Sequence, residues 1–332
     1  MFSKNRFWIV GFFLLLPWMH GMAQKVELKQ GRNAIDVLVD GKAWTTYRHT
    51  PDPAKPLAAP GILQTKPVLW PILSPSGVPM TRSYPFEKVA GEDTDHPHHQ
   101  GLFFTVDEVG AKNNLFWGNS KAELPAIQHQ KVLAMKSGKK KATLKTLSKW
   151  VGPDKAALLD EERQMDFLVL SPGQYAIDFD ISLKALDKEV AFGDTKEGMF
   201  AVRIAQFLTE KATGRYLNSN GQELEKGVWG KRANWVRLQG EKDGRKLGIV
   251  IFSHPSGVNS PTYWHARGYG CFSVNPLGQL DFQKAHKEAD PKPFGLVLKP
   301  GAKAVFRYRV LFFEGELDGK TVEAAYQKYI KP

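Results

Sequence analysis

YAIDFDISL, Tyr175 to Leu183, alternates strictly: Tyr175, Ile177, Phe179, Ile181 and Leu183 are apolar or aromatic, and the residues between them are small or polar. A period of two sends successive side chains to opposite faces, so one face of this segment belongs to a core and the other to solvent or a groove. It reads as a half-buried β-strand. Outward along the chain the same signature recurs. Ile35–Val39 and Ala43–Tyr47 flank Asp40-Gly41, a dipeptide suited to a tight hairpin turn. Val68–Leu73, Leu102–Val106, Val132–Met135, Phe167–Leu170, Phe200–Phe207, Leu247–Phe252, Phe294–Leu298 and Ala304–Phe313 are further strands, separated by Gly, Pro, Asn and Asp. No amphipathic helices interleave them, which excludes a parallel α/β sheet and favours a large antiparallel β-sandwich. One helix is expected, at the C-terminus, where Val322, Ala325, Tyr326, Tyr329 and Ile330 share a face. It should pack outside the sheets.

The N-terminus has a different character. Lys4 and Arg6 precede an apolar run from Phe7 to Trp18, and Gly21 and Ala23 flank Met22. This order of charge, short apolar core and small residues is that of a secretory signal peptide, with cleavage expected after Ala23. Residues 1–23 are then the signal and residues 24–332 a single β-sandwich domain, periplasmic or secreted. No later run is long enough to span a membrane. Removing Lys4 and Arg6, with no acidic residue, takes the formal charge from +12 to +10. Much of the excess lies between Lys131 and Lys149, where Ser137-Gly138 and Lys139-Lys140-Lys141 form a turn in an exposed basic hairpin. With no recognisable nucleic-acid-binding motif beside it, this charge does not point to nucleic acid. The single cysteine, Cys271, excludes an intramolecular disulfide and should be buried and inert.

Chemistry concentrates in three places. The densest is DTDHPHHQG, Asp93 to Gly101, with His96, His98 and His99 inside four residues. Imidazoles titrate near working pH and serve as acid/base groups or metal ligands. An extended chain around Pro97 would turn His96 and His98 one way and His99 the other. A second place is FGDTKEG, Phe192 to Gly198, with Asp194, Lys196 and Glu197 ahead of a strand that Arg203 interrupts. Arg203 inside an apolar run needs an anionic partner, Glu197 or another acid, or a substrate group. The third is YWHARGYG, Tyr263 to Gly270, where Trp264 stands beside His265 and Arg267 as in a sugar site. Trp117 and Trp229 are weaker candidates of this kind. The elbows, phosphate loops, dinucleotide fingerprints and paired cysteines of common hydrolases, kinases, dehydrogenases and zinc fingers are absent from the sequence.

Several runs together carry a resemblance: Trp70 to Arg82, Asp95 to Gly101, Asn114 to Gly118, Phe192 to Gly198, Trp229-Gly-Lys with Trp235, Phe252 to Pro255, Trp264 to Arg267 and Tyr308 to Gly315. In this order they resemble a bacterial family of unknown function often labelled "methane oxygenase PmoA", over residues 30–315. A methane monooxygenase membrane subunit needs several apolar spans, so no oxygenase activity is carried over from the label. The resemblance implies a galactose-mutarotase-like supersandwich, and a carbohydrate role by association with sugar-oxidising and sugar-cleaving proteins. Gln100 stands where the family's pattern often has Arg.

The expected function is a secreted carbohydrate-active protein working on a sugar or glycoside by acid/base chemistry, with no organic cofactor. His98, His99 or His265 would exchange a proton, and Glu197 or Asp194 would be the carboxylate counterpart. His96, Lys196, Arg203, Arg267, Trp264 and Trp117 would hold the substrate. Two alternatives belong to other classes: a noncatalytic sugar-binding module, and a metal-dependent oxidoreductase with a divalent metal on His96, His98 and His99.

Overall fold

The computed structural model describes residues 24–331; the expected signal peptide, residues 1–23, lies outside them. YAIDFDISL sits within the strand Gln174–Ala185 of an eight-stranded sheet, between Ala157–Ser171 and Lys303–Glu314. Ile177, Phe179, Ile181 and Leu183 are buried. On the opposite face Asp178 and Asp180 reach across to Arg309 and Arg307 at 2.6 and 2.7 Å. The period of two is thus realised as a core face and an ion-paired outer face.

A ten-stranded sheet packs against this one. Its central strands run in the order Thr262–Ala266, Cys271–Asn275, Gly198–Arg203, Leu102–Val106, Val68–Ile72, Lys42–Arg48, Ala34–Val39, Lys25–Gln30. The hairpin at Asp40-Gly41 closes with φ of 49° and 76°, the positive values that this two-residue turn demands. Between the sheets the core is aromatic. Phe200 meets Phe179 edge-on at 4.8 Å and stacks on Tyr308 at 4.6 Å, and Phe104 lies 5.4 Å from Phe306. Burying each such side chain contributes roughly 1.5–3 kcal/mol relative to exposure. With 46% strand and 8% helix, the protein is the all-β antiparallel sandwich expected.

The helix Gly319–Tyr329 closes the chain, capped by Asp318, and lays Val322 and Tyr326 against Trp235, Phe252 and Phe313 on the outside of the eight-stranded sheet. Among the described residues no helix is long and apolar enough to cross a membrane.

Three expectations change. The short helices Leu224–Val228 and Gln279–Ala285 were not legible, because each carries one buried apolar residue, Val228 and Phe282, and no side-chain cap. The strand expected over 200–207 stops at Arg203, and Gln206–Leu208 turns into a 3-10 helix. Phe294–Leu298 shrinks to Val297–Leu298. The basic hairpin is also tied down: Gly138–Lys139 pairs with Val26 and Lys25 on the edge of the ten-stranded sheet, stitching the two sheets together through the backbone. Its lysine side chains remain exposed. Changing Lys139, Lys140 and Lys141 to Ser should therefore leave the melting temperature within a few degrees, since exposed charges contribute little. A drop beyond ten degrees in a thermal scan would mean that these side chains, and not the backbone, hold the sheets together.

Candidate functional site

The strands Leu102–Val106, Gly198–Arg203, Cys271–Asn275 and Thr262–Ala266 lie side by side. Their registers align Phe103 with Ala201, Ala201 with Ser273, Ser273 with His265, and Arg203 with Cys271. These side chains share the face turned away from the sandwich core, while Phe104, Phe200, Val202, Phe272, Val274 and Trp264 point into it. The loop Asp93 to Gly101 covers that outer face. Gly101 is required where the loop rejoins the sheet: its φ is 64°, and a Cβ would come within 2.4 Å of the Leu69 carbonyl oxygen.

Asp95 organises the loop. Its Oδ1 accepts from Arg82 Nη1 at 2.7 Å and from Arg203 Nη2 at 2.5 Å, and its Oδ2 lies 2.6 Å from His96 Nδ1. Both arginines are 1% exposed. Arg203 therefore finds its anionic partner in Asp95 and not in Glu197, and it anchors the site from beneath instead of presenting itself to a ligand. Arg82 also donates to the backbone oxygens of Tyr84, Asp93 and His96, which fixes the loop's path.

The loop is curled, not extended. His96 adopts a φ of 43°, and the His99 N–H donates to the His96 carbonyl. The two rings that an extended chain would separate stack at 5.0 Å and 7°, and His96 also stacks on Tyr269 at 4.9 Å and 6°. His96 lies over the seam between these two neighbours, with its own side chain 42% exposed. Its rings therefore offer faces, not nitrogens, to one another. Among the described residues no group of three or more His, Cys, Asp or Glu side chains is arranged to hold a metal ion.

The imidazoles of His98, His99 and His265 are kept uncharged. Burial, helped by the positive charges of Lys66 and His96, pushes His98 down to about 3. Burial with Arg267 and Lys196 does the same to His265, also to about 3. His99 lies fully inside, well below the usual imidazole value, with both ring nitrogens unpartnered. Burial raises the Cys271 thiol to about 12, and the charges of Arg203, Glu197 and Arg267 all reach it. The three places singled out in the sequence thus meet on one patch of sheet.

The patch has an accessible rim and a buried base. Asp95, His96, His98, Lys196, Glu197 and Arg267 are partly exposed; Arg82, Arg203, His99, His265 and Cys271 are not. Lys196 and Glu197 pair at 3.2 Å, and Arg267 pairs with Glu225 at 2.6 Å. Besides Arg203, three further expected site residues do not fit their roles. Asp194 spends both oxygens on backbone N–H groups, those of Leu280 at 2.9 Å and Phe294 at 2.5 Å, so it braces two loop segments. Trp264 is 0% exposed on the core side, its indole N–H donating to the Ala233 carbonyl. Trp117 is 1% exposed and packs beneath His99 and Phe103. Neither indole is a platform for a ligand.

Two members were missed. Lys66 lies at the end of a Pro-rich stretch that reads as a surface loop, yet it is 2% exposed. Burial pulls its ammonium down to about 8, against the pull of the Asp107 carboxylate. Asp107 accepts the backbone N–H groups of Trp117 and Gly118 and hydrogen-bonds through its own N–H to Glu197 O. A lone lysine and a lone aspartate gave no spacing signal.

Among solved structures the chain is similar to a GalM/aldose epimerase homologue from C. elegans, with 10% identity and a TM-score of 0.33 over 89% of this chain and 100% of that one. It is also similar to a galactose mutarotase related enzyme from Lactobacillus acidophilus, with 12% identity and a TM-score of 0.32 over 88% of this chain and 100% of that one. No curated protein matches the chain. The family model that matches is described as "Family of unknown function (DUF6807)", a description that carries no oxygenase activity. It spans residues 34–327, and the chain belongs to that family.

Proposed function

We propose that the chain binds a sugar or glycoside over the loop Asp95 to His98 and turns it over by proton transfer through His98 and Glu197. The observation that carries this is the His96 ring, stacked flat over His99 and Tyr269 and open to solvent, within a rim of charged side chains. A flat ring covers the apolar C–H face of a sugar, while Lys196 and Arg267 donate to its hydroxyls and Asp95 and Glu197 accept from them. His98 is unprotonated at neutral pH and so begins as the base, and we assign Glu197 as its carboxylate counterpart. Because His98 is held at about 3, its own protonation should not slow the reaction between pH 8 and pH 5.

The test is turnover on a panel of free aldoses and glycosides, followed by NMR and polarimetry. His98→Ala and Glu197→Gln should each lose roughly 10²–10⁴-fold in rate, the usual weight of a positioned acid or base, with the melting temperature within a few degrees. Binding without turnover in the wild type would leave a noncatalytic module instead. The absence of both binding and turnover would refute the carbohydrate assignment.

A further inference from the structure

A second concavity, of about 510 Å³, opens behind the segment Leu63 to Lys66. This segment separates it from the site above: Gln100 donates to the Leu63 carbonyl on one side, and the Lys66 ammonium turns away toward the Trp117 carbonyl. Inside it, His49 and His129 lie ring to ring at 4.2 Å and 37°. His49 is 7% exposed. Its Nε2 and the Nδ1 of His129 are buried without a partner. Buried polar atoms are normally satisfied, so two such nitrogens on residues that line one concavity are unusual and mark a place for a ligand's hydrogen-bonding groups. The volume falls within the range of about 300–1,000 Å³ usual for small-molecule sites.

The lining says which ligand. Leu63 and Ile127 supply apolar wall, and Glu123 sits at the mouth. Burial holds His129 down to about 4, with the charge of His49 adding to the effect, and lowers His49 too, so the pair is neutral at working pH. With two neutral imidazoles, a carboxylate at the entrance and the lysine pointing elsewhere, an anion gains nothing here. His49 Nδ1 shares a hydrogen with the Thr50 hydroxyl at 2.9 Å, and either tautomer fits that contact. Only a group that both donates and accepts satisfies either tautomer at Nε2, and a hydroxyl does so.

We propose that this concavity is a second binding site, for a neutral polyhydroxylated ring such as an uncharged pyranose unit, held by His49 and His129. It stands apart from the turnover assigned to His98. The probes are glucose, galactose, maltose and cellobiose, with glucuronate, inorganic phosphate and Zn²⁺ as competitors, read by calorimetry and by the imidazole NMR resonances of His129. A neutral sugar should shift the His129 resonances in the wild type and equally in His98→Ala. Its affinity should fall roughly tenfold in His129→Ala and in His49→Gln, as expected for one lost hydrogen bond. His129 is half-buried on an edge strand, so its variant keeps the test decisive should His49→Gln fail to fold. The proposal is overturned if no neutral sugar moves those resonances, if glucuronate or phosphate binds more tightly than the neutral sugars, or if Zn²⁺ binds and both variants abolish it. If the shift survives in His98→Ala while turnover is absent from the wild type, the function proposed above fails and this site stands.

Discussion

Asp95→Ala is expected to destabilise the folded protein by about 3 kcal/mol and to abolish ligand binding at the histidine loop. One carboxylate pairs with two guanidiniums, Arg82 and Arg203, each 1% exposed. Removing one partner of a buried pair typically costs about 3–5 kcal/mol, because the other charge stays behind without compensation. Here the carboxylate itself is 38% exposed, which places the value at the lower end. The same change frees His96 Nδ1 and loosens the ring stack on Tyr269. Urea unfolding measures the first effect and calorimetry the second. A loss below 1 kcal/mol would mean that water already compensates the two arginines. Asp95→Asn should fall between wild type and Asp95→Ala, since it keeps an acceptor oxygen but not the charge.

A comparable loss is expected inside the sandwich. Glu161 and Arg163 are each 1% exposed and pair at 2.7 Å between the sheets, and Glu161 also accepts from the Trp150 indole at 2.9 Å. Strand alternation puts both on the inward face of Ala157–Ser171, in a row that otherwise holds Leu159, Met165 and Phe167. Glu161→Gln keeps an acceptor oxygen but removes the charge paired with Arg163, leaving that cation uncompensated over the Phe104 ring, and should cost about 3–5 kcal/mol. The paired replacement of Glu161 and Arg163 by Met should cost less than either single change, because it removes both buried charges at once. A double-mutant cycle by chemical denaturation decides this. Additive single and double effects would show that the two side chains do not depend on one another.

Much of this architecture was legible because strands write their burial into the sequence. Tyr175 to Leu183 and Ala304 to Phe313 announce both the strand and its inward face. The loop Asp93 to Gly101, Glu197, Arg203 and His265 were found because polar residues stand out where apolar neighbours set the expectation. What failed was tertiary. Trp264 and His265 are adjacent in sequence, and only the register against Ser273 tells which of the two faces the core. Asp194 looks like a free carboxylate until Leu280 and Phe294, about 90 residues further on, claim its oxygens. The curl at His96 is local strain that a rule about residues before proline does not foresee, since the Asp95 carboxylate and the stack on Tyr269 hold it in place. Lys66 was hidden by its Pro-rich surroundings.

The two faces of the four site strands have a consequence for descent. In Leu102–Val106, Gly198–Arg203, Thr262–Ala266 and Cys271–Asn275, odd-numbered positions such as Phe103, Ala201, Arg203, His265 and Ser273 turn away from the core between the sheets, Met199 excepted, and even-numbered ones such as Phe104, Phe200, Val202, Trp264 and Phe272 build it. These odd positions are themselves buried beneath the loop Asp93 to Gly101, so heritable change at one of them alters what supports the loop without reopening the packing between the sheets. A lineage using this sheet can therefore reshape the seat of the loop one residue at a time while the even positions keep the inheritance intact.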